Sequence, residues 1–151
     1  MADSATLHSL IELADARKQK AGQAFAQAAA AHAQARERLV LIQNYRSEYE
    51  TRLREQAGTG IDGTRVVNYA RFIQQLSDAL EQQQREVERC ARHLQAMRED
   101  FFAEERKLKS FEILAEREQQ RVAGAEARRV QKQIDEFANR KSFGSPTGFM
   151  P

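Results

Sequence analysis

Tryptophan is absent from this sequence of 151 residues, and cysteine occurs once, at Cys90. A single cysteine cannot close an internal disulfide or build a zinc cluster, which favours a reducing compartment. Only 2 prolines and 7 glycines interrupt the chain, so a fold rich in loops is excluded. We find no apolar run of about 18 residues and no secretory leader. These absences predict a cytoplasmic protein without direct membrane insertion.

Neither sign of charge is in large excess: the sequence has 24 basic and 22 acidic residues, and its net charge is +2. The charges are interspersed, as on solvated helix faces, so we expect no nucleic acid partner. The sequence also lacks a glycine-rich nucleotide loop, a zinc-protease helix motif and a nucleophile elbow. Its three histidines, His8, His32 and His93, are widely separated. We therefore expect no enzyme, no cofactor and no metal.

The few glycines and prolines divide the chain into two long helices. Residues 5–56 and 64–140 contain no proline, and the segment between them, AGTGIDG at 57–63, contains three glycines. This pattern predicts a helix, a turn and a longer second helix, followed by a flexible tail at 141–151. Three local features have two candidates each: Gly58 or Gly60 ends the first helix, Asp62 or Thr64 caps the second, and Ser4 or Thr6 caps the first.

A heptad repeat runs along the second helix. Steps of seven give an apolar residue nine times in succession: Val66, Ile73, Leu80, Val87, Leu94, Phe101, Leu108, Ala115 and Val122. A companion line is only partly apolar: Tyr69, Leu76, Gln83, Cys90, Met97, Glu104 and Phe111. The first helix offers Leu7, Ala14, Ala21, Ala28, Ala35, Ile42 and Tyr49, beside Ile11, Phe25, Leu39 and Leu53. These lines predict an all-α fold, a long antiparallel two-helix coiled-coil hairpin.

The short turn fixes the pairing of the two helices. If the turn is symmetric about residue 60, the alanine-rich stretch 24–35 faces roughly residues 85–96, where small side chains would meet large ones. The alternative is that these alanines only raise helix propensity. The second helix outruns the first, so residues beyond about 115 lack an internal partner. An apolar stripe nevertheless continues there with Val122, Val130, Ile134 and Phe137.

Near the turn, a further apolar stripe lies beside the expected seam. Its members follow helical spacings of four and three: Arg38, Ile42, Tyr45 and Tyr49 on the first helix, and Phe72, Leu76, Ala79 and Gln83 on the second. If Leu39, Leu53, Val66, Ile73 and Leu80 supply the internal seam, this stripe is partly exposed and is a partner site. The alternative is a wide seam that buries both lines.

Four stretches of the chain resemble the FliJ family of flagellar export proteins. They are IQNYRSEYETRL (42–53), the turn AGTGIDG, VVNYARFIQQL (66–76) and VQKQIDEFANR (130–140). The resemblance covers nearly the whole chain and implies a long antiparallel hairpin similar to the coiled coil of the γ subunit of F-type ATPases. It also implies a cytoplasmic protein that is peripheral to the inner face of the cell membrane through the export apparatus.

The resemblance implies three kinds of partner: the hexameric export ATPase FliI, whose ring it stimulates, the export gate protein FlhA, and export chaperones. The family's gate-binding surface matches Ile42, Tyr45, Tyr49, Phe72, Leu76 and Ala79, whereas Arg38 and Gln83 differ from the family pattern. By analogy with the γ subunit, the unpaired end enters the ATPase ring. The residues expected to contact the ring are Val122, Arg128, Arg129, Val130, Ile134 and Phe137. Two other readings stay open at this stage, an injectisome-type stalk protein and a generic coiled-coil spacer or chaperone.

Overall fold

The computed structural model describes residues 3–60 and 62–143, and these residues form two α-helices. Helix α1 comprises Ser4–Ala57 and helix α2 comprises Gly63–Phe143. The helices pack against each other, so the expected all-α helical hairpin is confirmed. Of the segment expected to be a flexible tail, residues 141–143 are helical and residues 144–151 lie outside the described part of the chain.

An aspartate caps the start of each helix. At α1 the backbone N–H of Thr6 donates to Oδ1 of Asp3 at 2.7 Å, so the expected cap at Ser4 or Thr6 is wrong. Asp3 accepts this bond because its carboxylate reaches the N–H groups that the first turn leaves unpaired. At α2 the cap is Asp62, whose Oδ1 accepts from Thr64 at 3.4 Å.

The left-handed residue that the turn needs is a glycine. Of the two candidates, Gly60 has a φ of 80°, a conformation that strains residues with a side chain. Helix α1 ends just before Gly58, whose N–H donates to the carbonyl of Arg54 at 3.3 Å. The reversal is therefore made inside the turn and not at the last residue of α1.

The core is the thin seam between the helices. Its most buried side chains all belong to the predicted heptad lines: Leu7, Ala14, Ala28, Ala35, Leu80, Cys90 and Leu108. Four of them come from the line that contains Leu7, and three alanines among these bury little area each. The seam therefore depends on larger side chains from α2, such as Leu80 and Leu108.

The register of the hairpin follows the prediction. Nε2 of Gln83 donates to the carbonyl of Ala35 at 2.9 Å, and the ring of Tyr49 contacts those of Tyr69 and Phe72. These partners are nearly symmetric about residue 60, as a short turn requires. In the alanine-rich stretch, Ala28 and Ala35 are buried while Ala29 and Ala30 are exposed. The alanines at heptad positions therefore pack in the seam. The alanines between them are exposed and contribute through their high helix propensity.

Two compact units make up the hairpin, and each is described by itself. The first, Arg17–Glu104, contains the turn. Within it Gly22 lies against Phe101, since a Cβ placed on Gly22 would be 3.3 Å from the ring. The second contains the start of α1 and α2 from Glu105 onward.

In the second unit, α1 covers α2 only as far as about Gln119. Ser4 and Leu7 line a groove together with Ala115, Glu118 and Gln119. Internal cover thus ends a few residues later than the expected residue 115. Every described side chain from 119 to 142 is exposed.

Candidate partner-binding surfaces

The first candidate is the turn-end surface, which we define as Ile42, Tyr45, Tyr49, Phe72, Leu76 and Ala79. Tyr45 and Phe72 are exposed, at 48% and 38% of their full area. Ile42, Tyr49 and Leu76 are partly buried because they occupy heptad positions that face the opposite helix. The stripe is therefore partly exposed, as expected: the seam takes up part of it, and the exposed part is centred on Tyr45 and Phe72. Its role as a partner site stays a prediction.

Aromatic rings organise this surface. The centroid of Tyr49 lies 4.6 Å from that of Phe72 and 6.1 Å from that of Tyr69, both in tilted arrangements. The guanidinium of Arg52 lies 5.2 Å from the Tyr49 centroid, within the range of a cation–π interaction. Tilted ring pairs hold each other in place. The cluster is consequently a defined surface and not a set of independent side chains.

A shallow groove of about 290 Å³ opens beside these rings and is lined by Tyr49, Arg65, Asn68, Tyr69 and Phe72. Sequence reasoning missed Arg65 and Asn68 and assigned Tyr69 to the seam alone. The signal was present, because Arg65, Asn68, Tyr69 and Phe72 repeat at helical spacings of three and four. The lining combines three aromatic rings with the polar side chains of Arg65 and Asn68.

The residues at the two ends of the predicted stripe, Gln83 and Arg38, differ in how they interact with the opposite helix. Gln83 is partly buried and donates across the seam to Ala35. At the other end, the charge of Arg38 acts on Glu86 of the opposite helix. Hydrogen bonds from Arg89 lower the pKa of Glu86, and the nearby charge of Arg38 lowers it further. Gln83 thus makes an interhelical hydrogen bond, whereas Arg38 acts on the opposite helix through its charge alone.

The second candidate is the uncovered end of α2, by which we mean residues 119–142. Its apolar side chains are exposed to the solvent: Val122 at 49%, Val130 at 42%, Ile134 at 55% and Phe137 at 67%. Leaving large apolar groups exposed along one helix costs solubility and is characteristic of surfaces that other proteins cover. Arg128 and Arg129, which were predicted to contact a partner, are exposed on the same segment.

Charges at the uncovered end pair within the helix. Arg129 reaches Oε1 of Glu126 at 2.7 Å, and Arg121 reaches Oε1 of Glu118 at 2.7 Å. The hydrogen bonds from Arg121 lower the pKa of Glu118. Exposed pairs of this kind contribute little to stability because the solvent screens them. They stabilise the helix locally and fix no particular partner orientation.

The described residues, 3–60 and 62–143, contain no group of three or more His, Cys, Asp or Glu side chains that could hold a metal ion. No described helix is long and apolar enough to cross a membrane. Cys90 is buried in the seam, where it packs as a small apolar residue.

Comparison with known proteins assigns the family. The profile of the family described as "Flagellar FliJ protein" matches residues 3–147. A flagellar FliJ protein of Salmonella typhi is 29% identical over 146 residues, covering 97% of this chain and 99% of that protein. The flagellar FliJ protein of Escherichia coli K12 is 28% identical over the same length and with the same coverage. With a family match over nearly its whole length, this chain belongs to the flagellar FliJ protein family.

Proposed function

We propose that the chain is a non-catalytic stalk and adaptor of the flagellar protein export apparatus. In this proposal it works at the cytoplasmic side of the membrane, the uncovered end of α2 binds and stimulates the hexameric export ATPase, and the turn-end surface binds the export gate protein. The observation that carries the proposal is the exposure of every described side chain from 119 to 142, including four large apolar ones. Membership of a flagellar family supports the choice of apparatus.

The uncovered end has the properties that a ring-contacting segment needs. Ile134 and Phe137, at 55% and 67% exposure, provide apolar contact area. The charges beside them are arranged as local pairs such as Glu126 with Arg129. A closely matched ionic lock would hold one orientation, because fully desolvated charge pairs specify register strongly. Apolar contact with locally neutralised charge instead permits several orientations of nearly equal energy inside a sixfold ring.

The turn-end surface has the properties of a specific docking site. The rings of Tyr49 and Phe72 contact each other, so these two side chains lose little freedom when a partner binds. Tyrosine is enriched among the residues that dominate binding energy at protein interfaces, and both Tyr and Phe bury a large area there. Export chaperones are a further partner class in this proposal, and we assign them no residues.

The test of ATPase stimulation uses the full chain and a form that lacks residues 128–151. The steady-state ATP hydrolysis rate of the export ATPase ring is measured with each, and circular dichroism checks that the paired part of the hairpin is folded. We expect stimulation to be lost in the truncated form. A point variant refines the result: Phe137→Asp should reduce stimulation, while Lys132→Glu, which lies off the apolar stripe, should not. Full stimulation by the truncated form would contradict the proposal.

A further inference from the structure

The uncovered end of α2 carries its own seam. Starting at Ala123, residues follow alternating steps of four and three along one face: Ala123, Ala127, Val130, Ile134, Phe137 and Lys141. This is the spacing of the two core positions of a heptad, and α1 no longer covers it. We infer that two copies of this chain pair through this face as a short antiparallel coiled coil. The occupant of the face in the free protein is thus a second copy.

Charge complementarity selects the antiparallel arrangement. With the six residues above as core, Glu126, Gln133 and Arg140 are the flanking residues on one side of the seam. Antiparallel helices bring like flanking positions together, so Glu126 of one copy lies opposite Arg140 of the second copy, and the symmetry repeats the pair. Gln133 lies opposite itself on the twofold axis. A parallel pair would set Glu126 opposite Gln131 instead and would gain no ion pair.

Core packing agrees with the same register. Antiparallel pairing places Val130 of one copy against Ile134 of the second copy, and Ala127 against Phe137. The largest side chain of the stripe therefore meets one of its smallest, which fills the layer without overpacking. On the flank opposite Glu126, Gly124 faces Ala138, where two small residues let the helices approach. In a parallel pair each core residue would meet its own copy. Phe137 would then crowd against Phe137, and the charge of Lys141 would repel that of the second Lys141.

The intrachain contacts leave these charges available. Glu126 bonds to Arg129 at 2.7 Å on an exposed face, a contact that is easily exchanged or shared. Arg140 forms no ion pair with any residue in the described part of the chain. Pairing across the dimer gives Arg140 a carboxylate partner and leaves the charges of Lys132 and Glu136 in the solvent. The one charged residue of the seam is Lys141, which lies opposite Ala123 at the end of the overlap, where its ammonium group can extend into the solvent.

The predicted dimer is weak and reversible. The overlap spans roughly 19 residues, or about 28 Å of helix, which is fewer than the three to four heptads of a durable coiled coil. It covers Val130, Ile134 and Phe137, so a dimeric chain cannot present them to another partner. If this end also binds the ATPase ring, which rests on the proposed function, the dimer and the ring compete for the same face. The ring must then bind the chain more tightly than a second copy does.

Sedimentation equilibrium of the full chain over a wide concentration range tests the pairing through reciprocal charge reversals. Glu126→Arg alone places Arg opposite Arg140, and Arg140→Glu alone places Glu opposite Glu126, so each should weaken self-association at least about tenfold. An equimolar mixture of the two variants restores both ion pairs and should associate at least as tightly as the unaltered chain. The matched controls Glu136→Arg and Lys132→Glu change the same charges outside the seam and should have no effect.

Several outcomes would overturn the inference. They are a chain that stays monomeric at all concentrations, a dimer indifferent to the reversals, and single variants that the mixture fails to restore. A register check uses Gln133→Cys in a chain with Cys90→Ala, which should form a disulfide-linked dimer under mild oxidation. The same cysteine introduced at Glu136 should cross-link far less, and equal cross-linking at both sites would contradict the proposed register.

The two hypotheses about this end fail separately. ATPase stimulation by dilute, monomeric chain tests the proposed function without the dimer. Sedimentation without the ATPase tests the dimer alone.

Discussion

Tyr49 of α1 and Phe72 of α2 contact each other across the hairpin, with ring centroids 4.6 Å apart and planes inclined by 59°. Tyr49 is partly buried and Phe72 is 38% exposed. One ring thus stabilises the seam, and the other presents a face to the solvent. The pair connects the folding of the turn end with its proposed binding role.

Phe72→Ala should lower the free energy of unfolding by about 1–2 kcal/mol, since the ring pair itself contributes about 0.5–1.5 kcal/mol beyond its buried area. Tyr45→Ala should change it by less than about 0.5 kcal/mol, because Tyr45 is 48% exposed. Both variants should weaken binding to the export gate protein about tenfold or more, as truncated aromatic anchors do. Chemical denaturation and isothermal titration measure the two effects.

Asn44→Ala is the control for Tyr45→Ala, because Asn44 is its exposed neighbour outside the stripe. It should bind the gate protein normally. If Tyr45→Ala and Asn44→Ala bind equally well, the turn-end surface is not the docking site.

Leu80→Asp should destabilise the hairpin by about 3 kcal/mol or more, because Leu80 is 6% exposed and a carboxylate there loses its water without gaining a partner. Val67→Asp introduces the same group at a site that is 55% exposed and should cost no more than about 0.5 kcal/mol. Thermal unfolding followed by circular dichroism at 222 nm compares the two variants. Equal melting of both would show that the seam does not control stability.

Gln83→Leu should raise the free energy of unfolding by about 1 kcal/mol. The hydrogen bond from Gln83 ends on the carbonyl of Ala35, which keeps its own bond inside α1, so its loss leaves no buried group unpaired. Leucine would add apolar contact at a seam position. Denaturant unfolding measures the change. If Gln83→Leu instead lowers the free energy of unfolding by about 1 kcal/mol, the hydrogen bond from Gln83 holds the register of the helices.

The start of α1 should respond to acid through Asp3. Hydrogen bonds from the Thr6 N–H, and then from the Thr6 side chain, lower the pKa of Asp3 below its ordinary value of 3.8. Because the folded-state pKa is the lower one, the stabilising effect of the cap is complete above 3.8 and disappears as the pH falls through the folded-state value. The amide proton shift of Thr6 should follow that titration in an NMR series.

Asp3→Asn tests the assignment of this titration, since asparagine caps a helix through the same oxygen but does not ionise. The Thr6 amide shift should then be independent of pH in the acid range. A titration that persists in Asp3→Asn would have to come from another group.

The sequence by itself determined the two helices, the turn and the lines of the seam, because all of these depend on local spacing. A residue such as Leu80 or Leu108 recurs every seven positions whatever it packs against, and that period can be read without coordinates. The glycine-rich turn likewise fixed the antiparallel register, since a short connection leaves little choice of pairing. The family resemblance read from stretches such as 42–53 and 66–76 was confirmed by the match over residues 3–147.

Only the tertiary structure decided how the apolar lines divide between core and surface. Ile42, Tyr45 and Tyr49 share one helical face by spacing, yet Tyr45 is exposed while the other two are partly buried. The rotation of each helix about its own axis makes that choice, and the rotation is set by all contacts along the seam together. The same holds at the uncovered end, where the position of the first turn of α1 beside Gln119 determines which apolar side chains of α2 remain open to partners.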